Sequence, residues 1–196
     1  MADRAADPID VTLLVAGAIE RAGGAYFVGG SLASSLQGEP RATNDVDVVV
    51  ELPLGRIGTF VKELGAEFEV DVEMLREALL HGGSCNIFHL PTVLKVDLFA
   101  VGPTPFDEME FSRRKAVRVR EGSETLVLKS PEDTVLRKLR WYEDGGRVSE
   151  RQWRDIVQVL RVSGGGMDPD YLDRWAAMLD VTALLQRARQ DATSAL

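Results

Sequence analysis

The sequence predicts an α/β domain followed by a small helical domain, and three observations predict it. Up to about residue 128, short β-branched and aromatic runs such as Tyr26-Phe27-Val28, Val46 to Leu52 and Val93 to Val101 alternate with stretches of helical spacing. Beyond Lys129 the strand-like runs stop. Helix starts then follow one another at Ser130-Pro131-Glu132-Asp133, Ser149-Glu150-Arg151-Gln152 and Asp168-Pro169, with Gly145-Gly146 and Gly164-Gly165-Gly166 between them. The expected division is therefore 1–128 and 129–196.

Taken in order, Pro8 through Arg21 reads as an opening helix, with Ile9, Leu13, Ala16 and Ile19 at helical spacing. Tyr26-Phe27-Val28 is a short buried strand that stops at two glycines, and Ser31 to Leu36 a brief helix. Val46 to Leu52 is a strand whose Val-Val-Val centre suits burial on both faces. Arg56 to Leu64 and Val72 to Leu80 are helices. Cys85 to Leu90 and Val93 to Val101, parted by Pro91-Thr92, form a hairpin, and shorter strands lie at Ala116 to Val119 and Thr125 to Leu128. A last helix runs from Val181 to Arg189.

Composition narrows the function. With 196 residues, 45% hydrophobic and 28% charged, the chain can bury a core, and a disordered reading is excluded. Its one cysteine, Cys85, excludes a disulfide framework or a multi-thiolate zinc site, and His81 and His89 cannot fill a metal shell alone. Leu13 to Ile19 is too short to span a bilayer and ends at Glu20 and Arg21, so a cytoplasmic protein without membrane partners is expected. The net charge of −8 lies wholly before Lys129: residues 1–128 hold 12 Lys+Arg against 20 Asp+Glu, the remainder 11 against 11. Such a balance argues against nonspecific nucleic-acid binding, which rests on cations displacing counterions from phosphates. Two basic runs, Arg113, Arg114, Lys115, Arg118 and Arg120, then Arg137, Lys138 and Arg140, are either a local docking patch or solvated faces.

The chemistry concentrates in three places. At Gly29-Gly30-Ser31 a strand delivers the chain to two glycines and a helix begins at once. Bare backbone amides there can approach phosphate oxygens, with the Ser31 hydroxyl as a further donor. The segment is neither G-x-G-x-x-G nor a Walker loop. Asp45 and Asp47, two apart on a strand, leave the same face with Cα atoms roughly 6 to 7 Å apart. At that distance they repel unless cations intervene, and Mg²⁺ (or Mn²⁺) carrying water and substrate phosphates matches them. Asp97 sits inside the apolar run Val93 to Phe99, where a carboxylate is costly without a cation or hydrogen bonds. Facing the other pair, it can ligate the metal and take the proton of an attacking hydroxyl. The structural alternative is an ion pair with Lys95, two residues earlier on the same face.

Together, Phe27-Val28-Gly29-Gly30-Ser31, then Arg41-Ala42-Thr43-Asn44-Asp45-Val46-Asp47-Val48, then Val96-Asp97-Leu98, resemble the nucleotidyltransferase superfamily that includes DNA polymerase β. The match is nearer to its small bacterial branch, the AbiEii-like toxin nucleotidyltransferases. The resemblance covers about residues 26 to 100. It implies a small mixed-sheet domain and transfer of a nucleoside monophosphate from an NTP to an acceptor hydroxyl on tRNA, a protein or a small molecule, in a toxin–antitoxin system or otherwise. It places Asp45, Asp47 and Asp97 as catalytic metal ligands, Gly29, Gly30 and Ser31 on the phosphates, and Arg41 or Thr43 beside them, unless these two only shape the loop. It extends to Lys138, which it implies as a further nucleotide-binding residue, and to Arg154-Asp155-Ile156-Val157-Gln158, which matches an Arg-Asp-x-x-Asp-like element except that Gln158 replaces the final acid. Trp141, Tyr142, Trp153 and Trp175 fall among apolar neighbours and are expected in the core rather than under a base. A catalytically silent nucleotide-binding or regulatory partner of the same fold is the other reading.

Overall fold

The computed structural model describes residues 6–43, 45–120 and 122–194. Its contacts group the chain into two units: one built from the segments up to Leu32 and Ala42–Leu128, the other from Ala33–Arg41 and everything from Lys129 on.

In the first unit, helix α1 (Pro8–Arg21) begins where the Asp7 carboxylate accepts the N–H groups of Ile9 and Asp10 while Asp10 answers on Asp7 N, a reciprocal cap with proline at the first turn. There follow β1 (Ala25–Val28), the start of α2 (Gly30–Gln37), β2 (Asp45–Glu51), a 3₁₀ turn at Leu54–Arg56, α3 (Ile57–Leu64), β3 (Phe68–Val70), α4 (Val72–His81), β4 (Ser84–His89), β5 (Leu94–Ala100), α5 (Pro105–Ser112), β6 (Lys115–Arg118) and β7 (Thr125–Leu128). The strands join one mixed sheet ordered β3-β4-β5-β2-β1-β7-β6, in which β2 runs parallel to β5 and antiparallel to β1. The expected hairpin is β4–β5.

Two elements lay outside the sequence reading. β3 is three residues long, too short for a period-two pattern to register. α5 does have a local signal: Thr104 and Asp107 cap its start reciprocally, with Pro105 between them.

The expectation of burial on both faces of β2 was wrong. Val46, Val48 and Val50 are buried, whereas Asp45 and Glu51 are exposed and Asp47 and Val49 half-buried. The buried side continues through Val96 and Leu98 of β5 and Cys85 and Ile87 of β4, and α1, α3 and α4 pack on this part of the unit with Val15, Ile19, Phe60 and Leu75. β2 thus alternates buried and more exposed side chains like a half-buried strand.

The second unit consists of α6 (Pro131–Asp144), α7 (Glu150–Ser163), α8 (Pro169–Met178) and α9 (Thr182–Ser194), together with the end of α2 and the loop to Arg41. Ser130, Ser149 and Asp168 cap three of these helices as their sequence signals indicated. The early segment, expected with the first unit, is held here by hydrogen bonds. Gln37 Nε2 donates to Lys129 O at 2.7 Å, and Ser163 Oγ donates to Gln37 O at 2.6 Å. Tyr142 and Trp175 are core residues, and Trp153 stacks on Tyr142 while its indole N–H donates to Asp191; Trp141 alone is largely exposed. Among the described residues, no helix is long and apolar enough to cross a membrane.

Candidate active site

β2 and β5 bring the sequence-predicted carboxylates onto one face. In their parallel register Asp45 lies beside Lys95 and Asp47 beside Asp97. Registered residues on adjacent strands share a face, and the strands stand about 4.8 Å apart, so four side chains form a two-by-two array of three acids and one ammonium. On the far side of β5, Asn86 and Phe88 of β4 continue the same face beside Asp97 and Lys95. Both are exposed, which leaves the array open to solvent on that flank.

The glycine turn abuts this array. Gly29 N donates to Asp47 O at 2.9 Å, prolonging the β1–β2 ladder by one residue, and Gly30 then turns into α2 with φ of +54°. A Cβ on Gly30 would stand 1.6 Å from Asp47 Oδ2, so the carboxylate fills the space a side chain would need. Glycine is required here for two reasons, the left-handed backbone and the close approach of Asp47. Thr43 Oγ1 donates to Asp45 O at 3.0 Å and accepts from Asp45 N at 3.4 Å, which shapes the entry to β2. Asn44, between them in the motif, lies outside the described residues.

The Lys95 ammonium donates to Asp97 Oδ2 at 2.8 Å. It is held above the usual lysine range first by this hydrogen bond, against some desolvation, and then by the charges of Asp97, Asp45 and Asp47 together. Asp97 itself is only 14% exposed, and its other oxygen, Oδ1, is buried with no hydrogen-bond partner among the described residues.

Among the described residues no three His, Cys, Asp or Glu side chains are gathered to hold a metal ion. The metal set Asp45, Asp47 and Asp97 is thus placed on one face but not closed on one point. The reasons are visible: Asp97 is drawn to Lys95, Asp47 lies against Gly30 and Asp45 is exposed. The donor chemistry nevertheless suits a hard divalent cation, being all carboxylate oxygen with one buried acceptor that no described residue engages.

Arg41 and Lys138, expected at the nucleotide, are both hydrogen-bonded within the second unit. Asp155 Oδ2 accepts from Lys138 Nζ and Arg41 Nη2, both at 2.9 Å, and from Ser34 Oγ at 3.3 Å, while Oδ1 accepts from Arg41 Nε at 3.0 Å. One carboxylate thereby ties α2, the loop after it, α6 and α7. Burial pushes the Asp155 carboxyl upward, but the hydrogen bonds from Arg41 and Lys138 outweigh it and the net shift is down. For Lys138 burial dominates, and its pKa is lowered despite the bond to Asp155.

No protein-family model and no curated protein matches this sequence. Solved structures do. An antigenic nucleotidyltransferase-like protein from Paracoccidioides brasiliensis superposes with a TM-score of 0.57 at 16% identity, over 93% of this chain and 92% of that one. The solution structure of the antibiotic-resistance factor ANT(2'')-Ia gives 0.54 at 17% identity over 94% and 99% of the two chains. The crystal structure of ANT(2'')-Ia with adenylyl-2''-tobramycin gives 0.55 at 13% over 88% and 96%. The chain has the nucleotidyltransferase fold.

Within that fold Asp45, Asp47, Asp97 and the glycine turn lie on the elements the sequence predicts, whereas two neighbours are more closely engaged than the sequence indicates. Lys95 entered only as the alternative partner of Asp97, although its i, i+2 spacing already put it on the carboxylate face. Asp155 stood without a role, because nothing local links it to Arg41 across 114 residues.

Proposed function

We propose that this protein transfers a nucleoside monophosphate from an NTP to an acceptor hydroxyl. The observation that carries the reading is the register of β2 with β5, which sets Asp47 beside Asp97 while the Asp47 carboxylate rests on the Cα of Gly30. Acids for a cation and bare backbone for phosphates are then neighbours, which phosphoryl chemistry, being mostly positioning and charge neutralisation, requires.

Asp45 and Asp47, with Asp97, are the ligands for Mg²⁺ or Mn²⁺, which when bound supplies neutralisation of the triphosphate charge. Gly29, Gly30 and Ser31 grip the β and γ phosphates. The Asp97 carboxylate accepts the proton of the acceptor hydroxyl as its oxygen bonds to the α-phosphorus; the bond to the α,β-bridging oxygen breaks and pyrophosphate departs. Arg41 and Lys138, both engaged by Asp155, are assigned to holding the helical unit together, and Thr43 to shaping the strand entrance.

For the acceptor, charge favours a cationic or neutral small molecule over tRNA. The acid excess lies wholly in residues 1–128. The basic runs are partly engaged internally, since Arg120 pairs with Asp7 and Asp10, Arg140 with Asp144 and Lys138 with Asp155. A partner protein as acceptor, and a place in a toxin–antitoxin pair, rest on the sequence resemblance alone.

The test is Mg²⁺-dependent pyrophosphate release from labelled NTPs with a cell extract as acceptor source, run beside Asp45→Asn and Asp47→Asn. Release by the wild-type protein only is expected, and equal signals from all three proteins count against the reading. The Lys95–Asp97 ion pair favours a second reading, a nucleotide-binding module without turnover. Calorimetry with NTP and Mg²⁺ separates the two, because binding with no product from any acceptor fits only the module.

A further inference from the structure

We infer that Lys95 is a built-in counter-cation that occupies the carboxylate array when no metal is bound and competes with the divalent ion for it. The inference rests on the metal-site reading above and asks how the chain tolerates such a site when the ion is absent. Three like charges on adjacent strand positions destabilise a sheet unless something neutralises them. The neutralising group is in the register itself: Lys95 lies beside Asp45 on the neighbouring strand and two residues before Asp97 on its own. Its ammonium reaches Asp97 Oδ2 at 2.8 Å, and Asp45 and Asp47 leave the same face on the neighbouring strand.

The arrangement is suited to exchange rather than to permanence. Lys95 keeps 34% of its side chain exposed, and its stem is flexible, so a released ammonium returns to water at little cost. It satisfies only one oxygen of Asp97, leaving Oδ1 buried with no hydrogen-bond partner among the described residues. A divalent cation with six or more oxygen ligands can engage that oxygen and both neighbouring carboxylates, which a single ammonium with three donors does not. The contrast with Lys138 supports this role: that lysine also meets a carboxylate, but it is 5% exposed and shares its partner with Arg41 and Ser34.

The experiment uses the full-length protein, Lys95→Met and Lys95→Arg, with Mn²⁺ alone as the probe, followed by electron paramagnetic resonance. The expected result is a dissociation constant about tenfold lower for Lys95→Met than for wild type, with Lys95→Arg close to wild type. Thermal unfolding in EDTA and in excess Mn²⁺ gives the second readout. Lys95→Met should melt lower than wild type in EDTA and regain the difference in Mn²⁺, whereas a merely structural lysine leaves a deficit that Mn²⁺ does not repair. Equal or weaker Mn²⁺ binding by Lys95→Met overturns the inference and leaves the metal site standing. If none of the three proteins binds Mn²⁺, the metal-site reading falls and takes this inference with it.

Discussion

Two charged clusters in this molecule use the same residue types to opposite ends. On the β2–β5 face three carboxylates meet one ammonium and the cluster is open to solvent; around Asp155 one carboxylate meets two cations and is buried. An open cluster with surplus negative charge can exchange its counter-ion with solvent, and its residual charge is available to a ligand. A closed cluster whose carboxylate accepts hydrogen bonds on both oxygens has nothing to exchange, and breaking it strands a charge away from water. The difference teaches that burial and stoichiometry, more than the presence of Asp and Lys, separate a candidate reaction centre from a cross-link.

The largest effects should fall on opposite observables in the two clusters. Asp97→Asn is expected to lower the rate of pyrophosphate release by about 10³-fold while leaving the urea midpoint nearly unchanged. A parallel loss of stability would erase the contrast. Asp155→Ala should do the reverse, costing about 3 kcal/mol in urea unfolding because Lys138 is left as a buried, unpaired cation. A smaller loss is expected from Gly30→Ala, about 2 kcal/mol, together with reduced activity, since the new methyl must displace the Asp47 carboxylate and adopt a left-handed backbone. Reduced activity without any stability change would show that Asp47 moves freely and that the close approach is incidental.

Acid titration sharpens the comparison further. The folded-state pKa of Asp155 is depressed, so its contribution is fully present above the unfolded carboxylate value of about 3.9 and is lost as pH falls through the lower folded value. The stability difference between wild type and Asp155→Asn should therefore be flat from neutrality down to about pH 4.5 and shrink only in stronger acid. The smallest effect is expected for Thr43→Ala, about 0.5 kcal/mol and at most about twofold in rate, from loss of the turn at Asp45. A tenfold rise in KM for NTP would instead place Thr43 on the phosphates.

Much of this was open to reading without coordinates because it is governed by local periodicity. The two-residue repeat of a strand put Asp45 with Asp47, and Lys95 with Asp97, on common faces. Strand–Gly-Gly–helix located the glycine turn, and Ser-Pro-Glu-Asp located the start of α6. Short or locally ambiguous elements escaped: β3 has too few residues for a pattern, and β2 looked buried on both sides because three valines in a row do not show which face a helix will cover.

What the sequence determined by itself is most of the elements, their order and the faces on which the acidic side chains leave their strands, since these follow from backbone geometry over a few residues. The tertiary structure decided which strands are neighbours and in what register. Through that it decided that Asp47 meets Asp97 and Gly30, that Lys95 stands among the acids, and that Asp155 gathers Arg41, Lys138 and Ser34. Such pairings join residues far apart in the chain, and their energy depends on burial and distance, which no local pattern encodes.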